Sequence, residues 1–76
     1  MEKQTEYVLI VRDIETNKTE LSQVFDDKVM AERAYYGQAE LLGCEVKYEN
    51  KNKYFICLVK NGKEKYMVSL TKREIT

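Results

Sequence analysis

The chain has 76 residues, 43% of them hydrophobic and 34% charged, and thirteen basic against thirteen acidic side chains leave it formally neutral. Six tyrosines and two phenylalanines at zero net charge argue against disorder, no apolar run nears the roughly 20 residues of a membrane helix, and neutrality removes the bulk attraction to DNA or acidic membrane. A domain this small buries only about 60% of its unfolded surface, so self-association is an expected remedy.

The opening stretch, Met1 to Glu6, is polar and carries no secretory pattern. Proline is absent, and no linker or repeat interrupts the chain. The expectation is a single domain over residues 1–76, cytoplasmic and without membrane contact.

Tyr7-Val8-Leu9-Ile10-Val11 is short, β-branched and apolar on both faces, the pattern of an interior strand. Glu15 to Lys18 reads as a turn with Asn17 in the left-handed region. Leu21 to Phe25 returns as a strand. A two-residue turn would pair Ile14 with Leu21. A bulge at Asn17 would instead pair Val11 with Leu21 and set Arg12 opposite Glu20, and that charge pair favours the bulged form.

Asp26 and Asp27 open a helix, with Asp26 as the cap and Phe25 stapled to Met30. The helix is expected over 27–42, stopped by Gly43. Met30, Ala31, Ala34, Tyr35, Leu41 and Leu42 share one face with Gln38 among them; Val29 and Tyr36 lie on the other side.

Cys44 to Glu49 alternates apolar and charged, Tyr54 to Val59 is continuously apolar, and Tyr66 to Leu70 forms a last strand after the hairpin signal Asn61-Gly62. With two-residue loops at Lys51-Asn52 and Asn61-Gly62, one apolar set collects on a single face: Cys44, Val46, Tyr48, Phe55, Cys57, Val59, Tyr66 and Val68. That face is expected to receive the helix. The fold class is therefore α+β, a small two-layer β-β-α-β-β-β domain with an antiparallel-rich sheet and one helix on one face.

Chemistry-bearing patterns are sparse. Histidine is absent, which removes the usual general base near neutral pH, and Cys44 and Cys57 lack metal-ligand spacing. Both cysteines read as reduced, small core residues on diagonal positions too far apart for a disulfide. Asp26 and Asp27 are explained by capping. No cofactor, metal or catalytic constellation is expected, and the chain reads as a non-enzyme.

The informative feature is the sheet face opposite the helix. The same registers place Tyr54, Ile56, Leu58 and Met67 there, with Val8 and Ile10, or Tyr7 and Leu9, from the first strand. One helix of about four turns cannot cover two apolar faces, and an apolar patch rimmed by charge is the pattern of a protein interface. The leading expectation is a protein-interaction module, a homodimer or a binder of another protein. The alternative is a nucleic-acid accessory protein using Lys51, Lys53, Lys60, Lys63 and Lys65 with Tyr54 and Tyr66 as a stacking surface. Ten lysines against three arginines, with no proline, also resemble the compact accessory proteins of AT-rich bacteria and their phages, a likeness of composition that implies no activity.

Overall fold

The computed structural model describes residues 4–75. Five strands and one helix follow in the order β1 (Gln4–Asp13), β2 (Lys18–Phe25), α1 (Lys28–Leu42), β3 (Glu45–Asn50), β4 (Phe55–Lys60) and β5 (Lys63–Ile75). All strands join one antiparallel sheet, ordered β2-β1-β5-β4-β3. The expected α+β architecture is therefore the observed one. The first strand is interior, as its two apolar faces require, and it joins the C-terminal strands through a ten-residue ladder from Gln4–Ile75 to Asp13–Tyr66.

Local signals explain the element ends. Asp27, rather than Asp26, caps α1: its carboxylate accepts from the Val29 and Met30 amides at 2.8 and 3.4 Å. Gly43 ends the helix in the left-handed region at φ 66°, where its amide and that of Cys44 bond back to Glu40 and Ala39. Asn61 and Gly62 both take positive φ, 55° and 79°, as the β4–β5 hairpin demands. Asn17 is left-handed at φ 58°. Val11 pairs with Leu21 as the bulged alternative requires, but the extra residue is Glu20, so Arg12 faces Thr19 and the expected charge pair does not form.

The core lies between α1 and one sheet face. Leu9, Val11, Ile56, Leu58, Val68 and Leu70 from the strands close around Ala31 and Tyr35 of the helix. Tyr7, Leu21, Phe25, Leu42, Cys44, Tyr54 and Tyr66 pack around that centre. The buried stripe of the helix is the expected one at Ala31, Ala34, Tyr35 and Leu42 but narrower than expected. Gln38 is buried, donating to the Ala34 carbonyl, whereas Met30 and Leu41 are 53% and 78% exposed. The Phe25–Met30 staple is thus replaced by Phe25 packing on the core.

Two bulges correct the expected face assignment. Between Leu58–Tyr66 and Val59–Glu64, β5 carries one extra residue, Lys65. Between Val46–Leu58 and Tyr48–Cys57, β3 carries one extra residue, Lys47. The β3–β4 loop also spans four residues, with Asn50–Phe55 as its closing pair. Because strand side chains alternate, one inserted residue transfers everything beyond it to the other face. The turn-proximal pair Val59–Glu64 is as expected, and every β4 partner beyond it is shifted by one.

Candidate interaction face

Ile56, Leu58 and Tyr54 were expected on the helix-free face and instead lie under the helix. Ile56 is 4% exposed and Leu58 fully buried in the core, and Tyr54 packs beside them with its hydroxyl donating to Glu32 of α1 at 3.3 Å. Val8, Ile10 and Met67 do lie opposite the helix. Val8 and Ile10 alternate with the core residues Leu9 and Val11, and Met67 alternates with Val68.

The places vacated by Ile56 and Leu58 are filled by Phe55, Cys57 and Val59 of the same strand. Tyr48 stands opposite Cys57 and meets Phe55 edge-on at 5.8 Å between ring centroids. Val24, opposite Val8, extends the patch onto β2. Apolar side chains therefore stand on all five strands in two groups, Val24, Val8 and Ile10 on one side and Met67, Phe55, Cys57, Val59 and Tyr48 on the other, separated by Ser69 and Thr71 of β5 and by the exposed Arg12 opposite Met67. Their members are half-buried or exposed, with Val24 at 53% and Tyr48 at 45%. Cys57 alone is fully closed over by its neighbours, and burial pushes its thiol up.

Sequence reasoning missed Phe55, Cys57, Val59, Tyr48 and Val24 for one reason. Both alternating sets of β4 are apolar, so hydropathy there is silent about which set faces the helix. The lysines that carry the bulges have no composition that announces them.

The rim is charged and self-neutralising. Arg73 pairs with Glu6 beside the β1–β5 ladder, and Lys47 pairs with Glu64, which raises the Lys47 pKa. On the helix side Lys65 binds Asp13 at 3.0 Å and Glu15 at 3.7 Å. Asp13 is 5% exposed, and it also accepts from the amides of Glu15 and Thr16. The hydrogen bond from Lys65, followed by that from the Thr16 amide, holds its carboxyl below the ordinary value, against the opposing pull of desolvation.

The lysines of the nucleic-acid alternative fall in two groups: Lys60, Lys63 and Lys65 line one cleft with Glu15 at the β4–β5 hairpin, and Lys51 and Lys53 lie apart from them. Lys51 and Lys53 sit in the loop before β4; Lys60 and Lys63 flank the hairpin at its other end. Lys65 is engaged by two carboxylates. Tyr54 and Tyr66 are half-buried against the core rather than presented as stacking platforms.

Comparison with protein-family models, curated proteins and solved structures gave no match. The reading of this face rests on its residues.

Other chemistry is thin. Among the described residues no three metal-ligating side chains cluster, and no helix is long and apolar enough to cross a membrane. Both cysteines are free thiols. A pocket of about 140 Å³ lies between Tyr7, Lys28, Glu32, Tyr54, Leu70 and Lys72. It is smaller than the roughly 300 Å³ at which pockets for drug-sized ligands begin, and the clefts of about 320 and 330 Å³ at the β4–β5 hairpin are lined mainly by polar and charged residues.

Proposed function

We propose that the protein is a non-catalytic interaction module of the cytosol that self-associates through its helix-free sheet face. The observation that carries this reading is the set Val8, Ile10, Met67, Phe55, Val59, Tyr48 and Val24, apolar side chains on all five strands that no described element covers.

Size and charge favour a second copy as the occupant. Five strands about 4.8 Å apart, each about six residues long at about 3.3 Å per residue, present on the order of 500 Å² before side-chain relief. Standard interfaces bury about 800 Å² per partner, so the face is of the right order for a dimer. The rim pairs Glu6–Arg73 and Lys47–Glu64 neutralise themselves, and the charges left over on the face, Arg12 beside Met67 and Glu45 beside Val59, are of opposite sign, so a second copy can match them. Two such sheets packing about 10 Å apart would enclose these apolar side chains as the second core of a sandwich. That burial would offset the marginal core of a 76-residue chain.

The test is light scattering coupled to size exclusion. The wild type is expected to run as a dimer, and Val8→Lys or Met67→Lys as a monomer with unchanged circular dichroism. A strict monomer at millimolar concentration would remove the reading.

A further inference from the structure

On the helix side, away from the proposed dimer face, α1 and the two ends of the β3–β4 loop bring three tyrosines and two carboxylates together. We propose that Glu32, Tyr36, Glu49 and Tyr54, built around the buried Tyr35, form a receptor for one organic cation, the ammonium or guanidinium of a lysine or arginine side chain.

The rings form a connected aromatic cluster. Tyr35 meets Tyr36 edge-on at 4.9 Å and Tyr54 at 5.9 Å between centroids. Tyr54 is held there at a cost. It sits in the left-handed region at φ 53°, which L residues other than asparagine and aspartate seldom adopt. That conformation, at the end of the Asn50-capped loop, lets its hydroxyl reach Glu32.

Two polar atoms of this cluster are buried without a hydrogen-bond partner among the described residues: the Tyr35 hydroxyl and Glu49 Oε2. Tyr35 is fully buried. Leaving such groups unpaired is expensive, and native structures do so rarely. A donor able to bond a phenolic oxygen and a carboxylate together would satisfy both, and ammonium and guanidinium groups are such donors.

The electrostatics point the same way. Glu49 is in no ion pair among the described residues, and Glu32 has Lys28 only at 3.9 Å on an exposed surface, a contact worth little. Burial first, then the nearby Glu49 charge, push the Tyr35 and Tyr36 hydroxyls up, and a hydrogen bond to Glu49 adds to the Tyr36 shift. Tyrosine faces attract a cation through their quadrupoles, and Tyr36 is the exposed ring of the cluster.

The experiment is an amide NMR titration of the full chain with four probes: N-acetyl-lysine methylamide, N-acetyl-arginine methylamide, choline, and the neutral N-acetyl-norleucine methylamide. Saturable shifts at Tyr36, Glu49 and Tyr54 with the cationic probes and none with norleucine are expected. Glu49→Gln should weaken binding at least about tenfold, the loss of a charged hydrogen bond. Tyr36→Leu, at an exposed position that the fold does not need, should weaken it about threefold. Tighter binding of the lysine or arginine probe than of choline, which has no N–H to donate, supports the proposal; equal or tighter choline binding overturns it. Absence of saturation with every cation, equal response to norleucine, or wild-type affinity in both variants overturns the proposal. Sedimentation of the same samples reads the dimer separately, so the two ideas fail independently.

Discussion

The two faces of the sheet are made by the same strands and both carry apolar side chains on every strand, yet they end in different states. Under α1, Leu9, Val11, Leu58 and Val68 are fully buried. On the other side Val8, Ile10, Phe55 and Met67 stay half-buried, one residue away along the same backbones. The difference lies in the cover and also in the composition: β5 turns Tyr66, Val68 and Leu70 to the helix and Met67, Ser69 and Thr71 away from it. A 15-residue helix seals one face and leaves the other to whatever meets it.

That contrast can be broken by moving a charge one residue along a strand. Ile56→Lys places an ammonium under the helix and is expected to abolish folding, since an unpaired buried charge exceeds the stability of a small domain. Leu58→Ala is the milder probe of the same face and should cost about 2–5 kcal/mol in urea unfolding. Met67→Lys, on the other face, should change monomer stability by less than about 1 kcal/mol while dispersing the dimer. If Met67→Lys unfolds the chain as Ile56→Lys does, the two faces are equivalent cores and the comparison fails.

Asp13 sharpens the description of the helix face, where it follows Leu9 and Val11. Its folded carboxyl is held below the ordinary 3.8. A depressed acid contributes stability that is complete above the unfolded value and is lost as pH falls through the folded one. Acid unfolding of the wild type should therefore include a loss beginning near pH 3.8 that Asp13→Asn lacks, and Asp13→Asn should melt several degrees lower at neutral pH. Lys65 gives the opposite sign. Its raised pKa contributes below the ordinary 10.5 and is lost as pH climbs through the folded value.

The smallest effect concerns thiol access. Cys44 is half-buried and should react with an alkylating reagent in the folded protein, while Cys57 should wait for opening of the free face. Alkylation of Cys57 should be faster in Met67→Lys than in the wild type, because Met67 is its cross-strand neighbour.

These experiments also mark where sequence reading stops. Element order, the interior position of the first strand, the Gly43 stop and the Asn61-Gly62 hairpin each follow from a local signal with a backbone cause. The side of the sheet does not. It depends on two single-residue insertions, Lys47 and Lys65, and neither side chain has chemistry that asks for a bulge. Val8, Ile10 and Met67 were legible as free-face residues because Leu9, Val11 and Val68 stayed in phase with the core. Tyr54, Ile56 and Leu58 were misplaced because β4 is greasy on both sides. The tyrosine–glutamate cluster was invisible for a related reason: Glu32, Glu49 and Tyr54 come from separate elements, and only the four-residue loop, with Tyr54 left-handed, unites them.

The ladder between Gln4 and Ile75 sets a constraint on how the molecule is born. A ribosome releases β1 first and β5 last, yet these two strands are central neighbours. Until the final segment clears the exit tunnel, the early hairpin has an unpaired inner edge and half a floor for its helix. Such long-range closure slows folding and lengthens the time for which a sticky strand is exposed. Moving the termini to the Asn61-Gly62 turn, with a short tether joining the old ends, would make β5 and β1 successive and should quicken folding without altering the sheet.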